Sequence, residues 1–476
     1  MKKNVVFDHP VLKLFQELSR IPRESGNEKA VSAWIRAWAE ERDLEVSQDG
    51  IWNLIIRKPA SAGYESHPPL MMQAHIDMVC EKDRDSDHDF SKDPIELALD
   101  GDWIVSGCGT SLGADDGIGA AAALALLEDD TLKHPPLEVV FTVQEETTFA
   151  GAQTVDISSC RAMRMINLDH ADETEIIAGS CGGTGVNFTM PLDLEEELPP
   201  GHKAYRIRLT GLKGGHSGED IHRGRGNAIC LLLRLLEEPQ LRTVSIHGGT
   251  NRLAIPREAE AVILVPEEVS VTEYAARMAG MFRRELSGTA SNLAIEVTEA
   301  EAGRPLTRNA FDRLTAVIRL YPNGIHQMNG QFEGLVESSD NIGILAVQDG
   351  QLKLVSEVRG AYQSTVDDIV RSIKVLANLI GAETECFNGY LPWEFEEKSE
   401  LRSIAMDTYE ELYGKRMKPI ALHAGLECGF FAEKKPGIDL ISIGPNCQYF
   451  HSPQERVSVT SVERFYKFLK AILQKC

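Results

Sequence analysis

Three apolar runs in the first part of the chain each stop at side chains able to bind a cation. Residues 70–74 lead into His75 and Asp77, residues 137–143 into Glu145 and Glu146, and residues 163–168 into Asp169. Short apolar runs of this kind mark buried strands. Open α/β sheets bind their ligands where parallel strands end. A further run at 51–56 and an Ala-rich helical stretch at 118–127 continue the alternation. It opens with a helix at 26–41 that carries Val31, Trp34, Ile35 and Trp38 at helical spacing. Strand alternating with helix predicts an α/β fold with a mixed, partly parallel sheet.

The texture changes at residues 191–201, PLDLEEELPPG, an acidic and proline-bearing stretch that reads as a linker or exposed loop. Beyond it, short strand candidates at 204–209, 243–246, 261–265 and 293–297 alternate with longer helices near 227–238, 271–286 and 308–320. This pattern predicts a separate α+β unit. After about residue 387 the earlier style returns, with a helix near 399–413, a strand at 439–443 and an amphipathic helix at 461–474. The expected division is 1–188, 189–387 and 388–476.

Charge narrows the partners. The chain has 49 basic and 72 acidic residues, a formal charge of −23. Such a body repels nucleic acid and anionic lipid at long range, and no basic patch offsets it. No stretch reaches the roughly 18 to 20 apolar residues that span a bilayer. Neither nucleic acid nor a membrane is expected as a partner. The nine cysteines are scattered without a C-x-x-C pair, as in a protein of the reducing cytosol. A cytoplasmic location is therefore expected.

The polar residues at the strand ends suggest a chemistry. His75 and Asp77, two apart, share a face, so Asp77 can orient the imidazole of a metal-binding His75. Residues 109–119, GTSLGADDGIG, form a glycine-rich turn entering a helix. The spacing Gly107-x-Gly109-x-x-x-Gly113 misses the dinucleotide fingerprint, and Asp115 and Asp116 would repel a pyrophosphate. Acids on such a turn suit a divalent cation better. Of the neighbours Glu145 and Glu146, one can ligate a metal while the other acts as general base on water. His, Asp and Glu without Cys point to a hydrolytic zinc, manganese or cobalt site. Two metals sharing a carboxylate would need about this many ligands and one more His.

The stretches HIDMV, GTSLGADDGIG, QEETT, NLD, GLKGGHSGEDIHRGRGNA, HAGLECG and HSPQE resemble the signature segments of the M20 metallopeptidases, in particular the aminoacyl-histidine dipeptidase branch. The resemblance runs from the first helix to HSPQE. It implies a mixed-sheet catalytic domain interrupted by an inserted α+β domain that acts as lid and, in many members, as dimer interface. It also implies two divalent metal ions, zinc with manganese or cobalt as alternatives. His75 and Asp169 would bind opposite metals, together with Glu146 and His451, and Asp115 would bridge them. The peptide bond after Asp115 would be cis, Asp77 would orient His75, and Glu145 would be the general base.

From the inserted domain, the resemblance implies that His216 stabilises the developing oxyanion and Arg359 clamps a substrate carboxylate. His423, Gly425 and Glu427 would line the substrate pocket. One position departs from the pattern: Leu253 stands where the family has Asn before Ala-Ile-Pro, with Asn251 two residues earlier. Loss of that amide bears on specificity or rate rather than metal binding. Asp116, where many of the branch carry Asn, is expected to be tolerated. The function so implied is hydrolysis of dipeptides with free termini, Xaa-His included. An N-acyl amino acid deacylase, a tripeptide aminopeptidase and a non-catalytic peptide-binding scaffold are the alternatives.

Overall fold

The structure, a computed structural model, describes residues 7–476. Contacts divide the chain into two units. The first comprises the chain up to Gly179 together with Phe395–Ala421 and Glu427–Cys476. Its main sheet has eight strands, in the order Glu45–Gln48, Leu54–Lys58, Leu137–Thr142, Leu70–His75, Arg164–Asn167, Asp439–Ser442, Glu175–Ser180 and Lys418–Leu422. The four central strands, from Leu137–Thr142 to Asp439–Ser442, are parallel. Leu70–His75 and Leu137–Thr142 are buried at every position, which explains why they read as continuous apolar runs instead of alternating ones.

Helix Ala114–Glu128 packs on Leu70–His75 and is covered by helices Pro10–Leu18 and Val459–Lys475. It has almost no polar side, and Ala120 to Leu127 are all buried, as a helix enclosed on all sides requires. One core holds Leu12 and Phe15, Leu124, and also Phe465, Phe468 and Leu469. The last segment of the chain therefore completes the first domain. A second, antiparallel sheet of four short strands joins Leu97–Asp100 and Trp103–Ser106 to Arg456–Ser458 and Cys447–Gln448. The loop that carries His451 hangs between its last two strands.

The second unit comprises Ser180–Glu394 and Leu422–Leu426. It is built on a nine-stranded sheet whose pairings are antiparallel, with Val336–Gln348 and Gln351–Gly360 forming a long central hairpin. Helices Ala228–Leu236, Val271–Glu285, Arg308–Leu320 and Gln363–Ile380 contribute their apolar sides to its core. The change of unit falls at Ser180 and Glu394, where the sequence suggested 189 and 387. The proline-bearing stretch at 191–201 lies inside the unit, joining strand Gly182–Pro191 to strand His202–Thr210. A loop between two strands of one sheet has the same composition as a linker.

Among the described residues no helix is long and apolar enough to cross a membrane. All nine cysteines are free thiols.

Candidate metal centre

His75 closes the strand Leu70–His75, with its side chain buried, and its Nε2 lies 3.1 Å from Asp115 Oδ1 and 3.9 Å from Asp169 Oδ1. On the other side of Asp115, His451 Nε2 lies 3.3 Å from Asp115 Oδ2 and 2.9 Å from Glu146 Oε2. Asp115 thus turns one oxygen to each of two donor pairs, His75 with Asp169 and His451 with Glu146. This corrects the expectation that His75 and Asp169 serve opposite metals: the parallel strands Leu70–His75 and Arg164–Asn167 are direct neighbours, so their ends converge on one side of Asp115. His75, Asp115 and Glu146 each bring a ligand atom within 4.8 Å of the others.

Local structure explains each placement. Asp115 sits where the chain enters helix Ala114–Glu128 from Gly113, which has φ +68. Only glycine takes that backbone without a Cβ penalty. Asp115 and Asp116 leave the helical conformation, and the bond between them is cis. Asp116 points inward and accepts from the Gly119 N–H at 3.1 Å, while its other oxygen is buried without a partner. Burial and the Asp115 charge push its carboxyl well above the usual range. A neutral acid in that place resembles an amide, consistent with tolerance of Asp where relatives have Asn.

Asp77 is fully buried and serves two neighbours. Its Oδ1 lies 3.3 Å from His75 Nδ1, close but not aligned as a hydrogen bond. Its two oxygens accept from the backbone N–H groups of Glu145 and Glu146 at 3.1 and 3.2 Å. The second task was not legible from sequence: Asp77 also holds the first turn of the short helix Glu145–Thr148. That turn delivers Glu146 to His451.

The electrostatics of the cluster favour a cation. Burial pushes the carboxyls of Glu145, Glu146 and Asp169 above their usual range, and the neighbouring acids add to it. Burial alone would raise Asp115 too, but the imidazoles of His451 and His75 hold it well below the carboxylate range. Against burial, Asp115 and Glu146 push the His451 imidazole up to about 11. Crowded buried carboxylates of this kind are costly unless positive charge balances them. Glu146 Oε1 is buried without any hydrogen-bond partner, as expected of an oxygen reserved for another ligand. The donor set, imidazole and carboxylate only, fits one or two divalent cations.

In the second unit, His216 and Arg359 lie together. His216 Nδ1 accepts from the backbone N–H groups of Gly218 and Glu219, at 3.3 and 3.1 Å. A neutral ring so held carries its proton on Nε2, which lies 3.4 Å from Arg359 Nη2. Arg359 is buried and donates from Nη1 to the Tyr390 hydroxyl at 2.6 Å, and that hydroxyl donates to Glu357 Oε1 at 3.0 Å. Tyr390 and Glu357 carried no signal in the sequence. His423 is buried with Nε2 2.7 Å from Ser339 Oγ, and burial, reinforced by Arg359 and His216, pushes its imidazole down to about 3. Gly425 follows in the same short segment. At Leu253 only the backbone takes part: its carbonyl accepts from the Ser217 N–H at 2.8 Å, while Asn251 folds back to cap the Leu253 N–H at 2.9 Å.

Glu427 departs from the expected pocket loop. It belongs to the first unit, is 1% exposed, and its Oε2 accepts from Gln73 at 2.6 Å and from Thr142 at 2.7 Å. So deep a carboxyl braces the strands that bear the site and is not presented as a lining group. Burial pushes it up to about 7.

A partly parallel sheet with two histidines and several carboxylates gathered at its strand ends is the architecture of a metal-dependent hydrolase. The chain belongs to peptidase family M20/M25/M40, which matches residues 71–475. It is 38% identical over 474 residues to the cytosol non-specific dipeptidase of Escherichia coli (strain K12), covering 98% of this chain and 97% of that protein. The crystal structure of the aminoacylhistidine dipeptidase of Vibrio alginolyticus superposes with a TM-score of 0.86 at 34% identity, covering 99% of this chain and 97% of that one. A tripeptidase from Staphylococcus aureus, at 16% identity, covers 98% of this chain and 97% of its own with a TM-score of 0.56, and shares the fold alone.

Proposed function

We propose that this chain is a dinuclear metal-dependent dipeptidase that hydrolyses dipeptides with free termini, Xaa-His among them. The observation that carries this reading is the Asp115 carboxylate, one oxygen toward His75 and Asp169 and the other toward His451 and Glu146. The two relatives above are named as dipeptidases, which favours a dipeptide over an N-acyl amino acid or a tripeptide. His75, Asp115 and Asp169 would hold one ion, and Asp115, Glu146 and His451 the other, with zinc first and manganese or cobalt as alternatives. When bound, such ions would lower the pKa of water toward neutrality and polarise the scissile carbonyl.

The chain's own groups do the rest. Glu145 is adjacent to the ligand Glu146 but makes no ion pair with either imidazole, so its carboxylate is left to take the proton from the attacking water and return it to the leaving amine. Asp77 keeps both Glu145 and His75 in place. His216, with its proton fixed on Nε2, is suited to donate to the carbonyl oxygen as charge develops. Arg359 offers a planar fork for a substrate carboxylate, the group that makes a short peptide with a free C-terminus recognisable. The cytoplasm as location and a homodimer through the second unit complete the reading.

The test is a substrate panel on protein stripped by chelation and resupplied with zinc, manganese or cobalt. Metal-dependent turnover of dipeptides, with little on N-acetyl amino acids and tripeptides, is the expected outcome. Preference for either of the other classes, or turnover that survives chelation, would contradict the reading.

A further inference from the structure

Two buried charged side chains, distant in sequence from the metal centre's turn, grip that turn from opposite ends of its peptide groups. Glu455 is 2% exposed, and its carboxylate accepts four successive backbone N–H groups. Oε2 takes those of Leu112 at 2.6 Å and Gly113 at 2.9 Å, and Oε1 those of Ala114 at 2.7 Å and Asp115 at 3.3 Å. A run of N–H groups turned to one point is an anion cradle. Here the chain fills it with its own carboxylate. Arg23 is 3% exposed and takes the carbonyls instead: Nη2 donates to Gly113 O, and Nη1 donates to Asp77 O at 3.0 Å and Ile76 O at 3.3 Å.

We infer that Glu455 and Arg23 are positioning residues that set the distances between Asp115 and the histidines on its two sides. Glu455 lies four residues after His451, so the loop that carries one histidine is pinned to the Asp115 turn. Arg23 binds that turn to the chain leaving His75. The glycines agree. A Cβ on Gly117 would stand 2.5 Å from Arg23 Nη2 and 3.0 Å from Phe15 Cε2, and a Cβ on Gly113 would also stand 2.5 Å from Arg23 Nη2. Both are glycine because the guanidinium occupies that space. The inference rests on Asp115 being the shared ligand of the proposed centre.

The experiment is titration of the chelator-stripped protein with zinc, read as stoichiometry and Kd by calorimetry, alongside near-ultraviolet circular dichroism and the thermal midpoint. Glu455→Gln removes acceptors from the cradle. Arg23→Lys keeps the charge but loses the fork. Gly117→Ala displaces Arg23 without changing any charge, and so serves where the other two fail to fold. The parent protein should take up two ions. Each folded variant should bind at least one of them tenfold or more weakly, the range seen when a group that orients ligands is removed. The metal concentration for half-maximal activity should rise in step while KM stays near the parent value. Parent-like affinity in the folded variants, or loss of fold in all three, would overturn the inference and leave these residues to the fold alone. A parent chain that binds no ion would instead sink the reading of the centre, and this inference with it.

Discussion

Glu145 and Glu146 are neighbours with different surroundings, and the difference predicts a separation of effects. Glu146 meets His451 at 2.9 Å, whereas Glu145 has burial and negative neighbours around it. On this account Glu145→Gln retains both ions and loses about 100-fold or more in kcat, the scale of a missing general base. Glu146→Gln lowers metal occupancy first. Elemental analysis beside initial rates checks both, and near-normal turnover of a fully loaded Glu145→Gln would remove Glu145 from the mechanism. Glu427 makes a prediction of another kind. Its carboxyl is raised from 4.5 to about 7 by burial, so the folded state holds the proton more tightly than the unfolded one. Its contribution to stability is present below pH 4.5 and is lost as pH rises through 7, about 3 kcal/mol at most. In metal-free protein, Glu427→Gln should flatten that part of the denaturation profile and gain on the parent above pH 7. An unchanged profile would contradict the assignment.

At the scale of elements, the strands of the main sheet were legible because burial on both faces leaves continuous apolar runs, and five of the site's residues follow those runs directly. The short strands were not. Cys447–Gln448 and Arg456–Ser458 have two and three residues, too few for any periodicity to register, yet they hold the loop of His451. The helix Glu145–Thr148 is equally silent in sequence, since four residues nucleate no helix of their own. Asp77 supplies the missing stabilisation by capping two of its N–H groups. Asp77→Asn should therefore loosen this turn and the His75 ring together. A fall of about 10-fold to 100-fold in metal affinity is expected, with the fold intact. Calorimetric titration with circular dichroism checks it, and unchanged affinity would show that neither contact matters to the ligands.

At the scale of the whole molecule, the chain leaves its first unit at Ser180 and comes back to it after the second. No local pattern announces that return: His451 read alone is a histidine before Ser-Pro, and only its likeness to a family motif tied it to residues some 300 positions earlier. The fold supplies the physical link, because Asp439–Ser442 pairs in parallel with Arg164–Asn167 and the final helix packs into the core of the first. Buried charges that bind main-chain groups, such as Arg23 and Glu455, were illegible for the same reason, since their partners are peptide groups anywhere in the chain. The boundary at 191–201 misled because a loop inside a sheet and a linker between domains have one composition. The most direct test of the account is anomalous diffraction from crystals soaked in zinc. Two peaks should flank the Asp115 carboxylate, one beside His75 and Asp169 and one beside His451 and Glu146. A single peak that avoids Asp115, or ions paired with His75 and Asp169 on opposite sides, would contradict it.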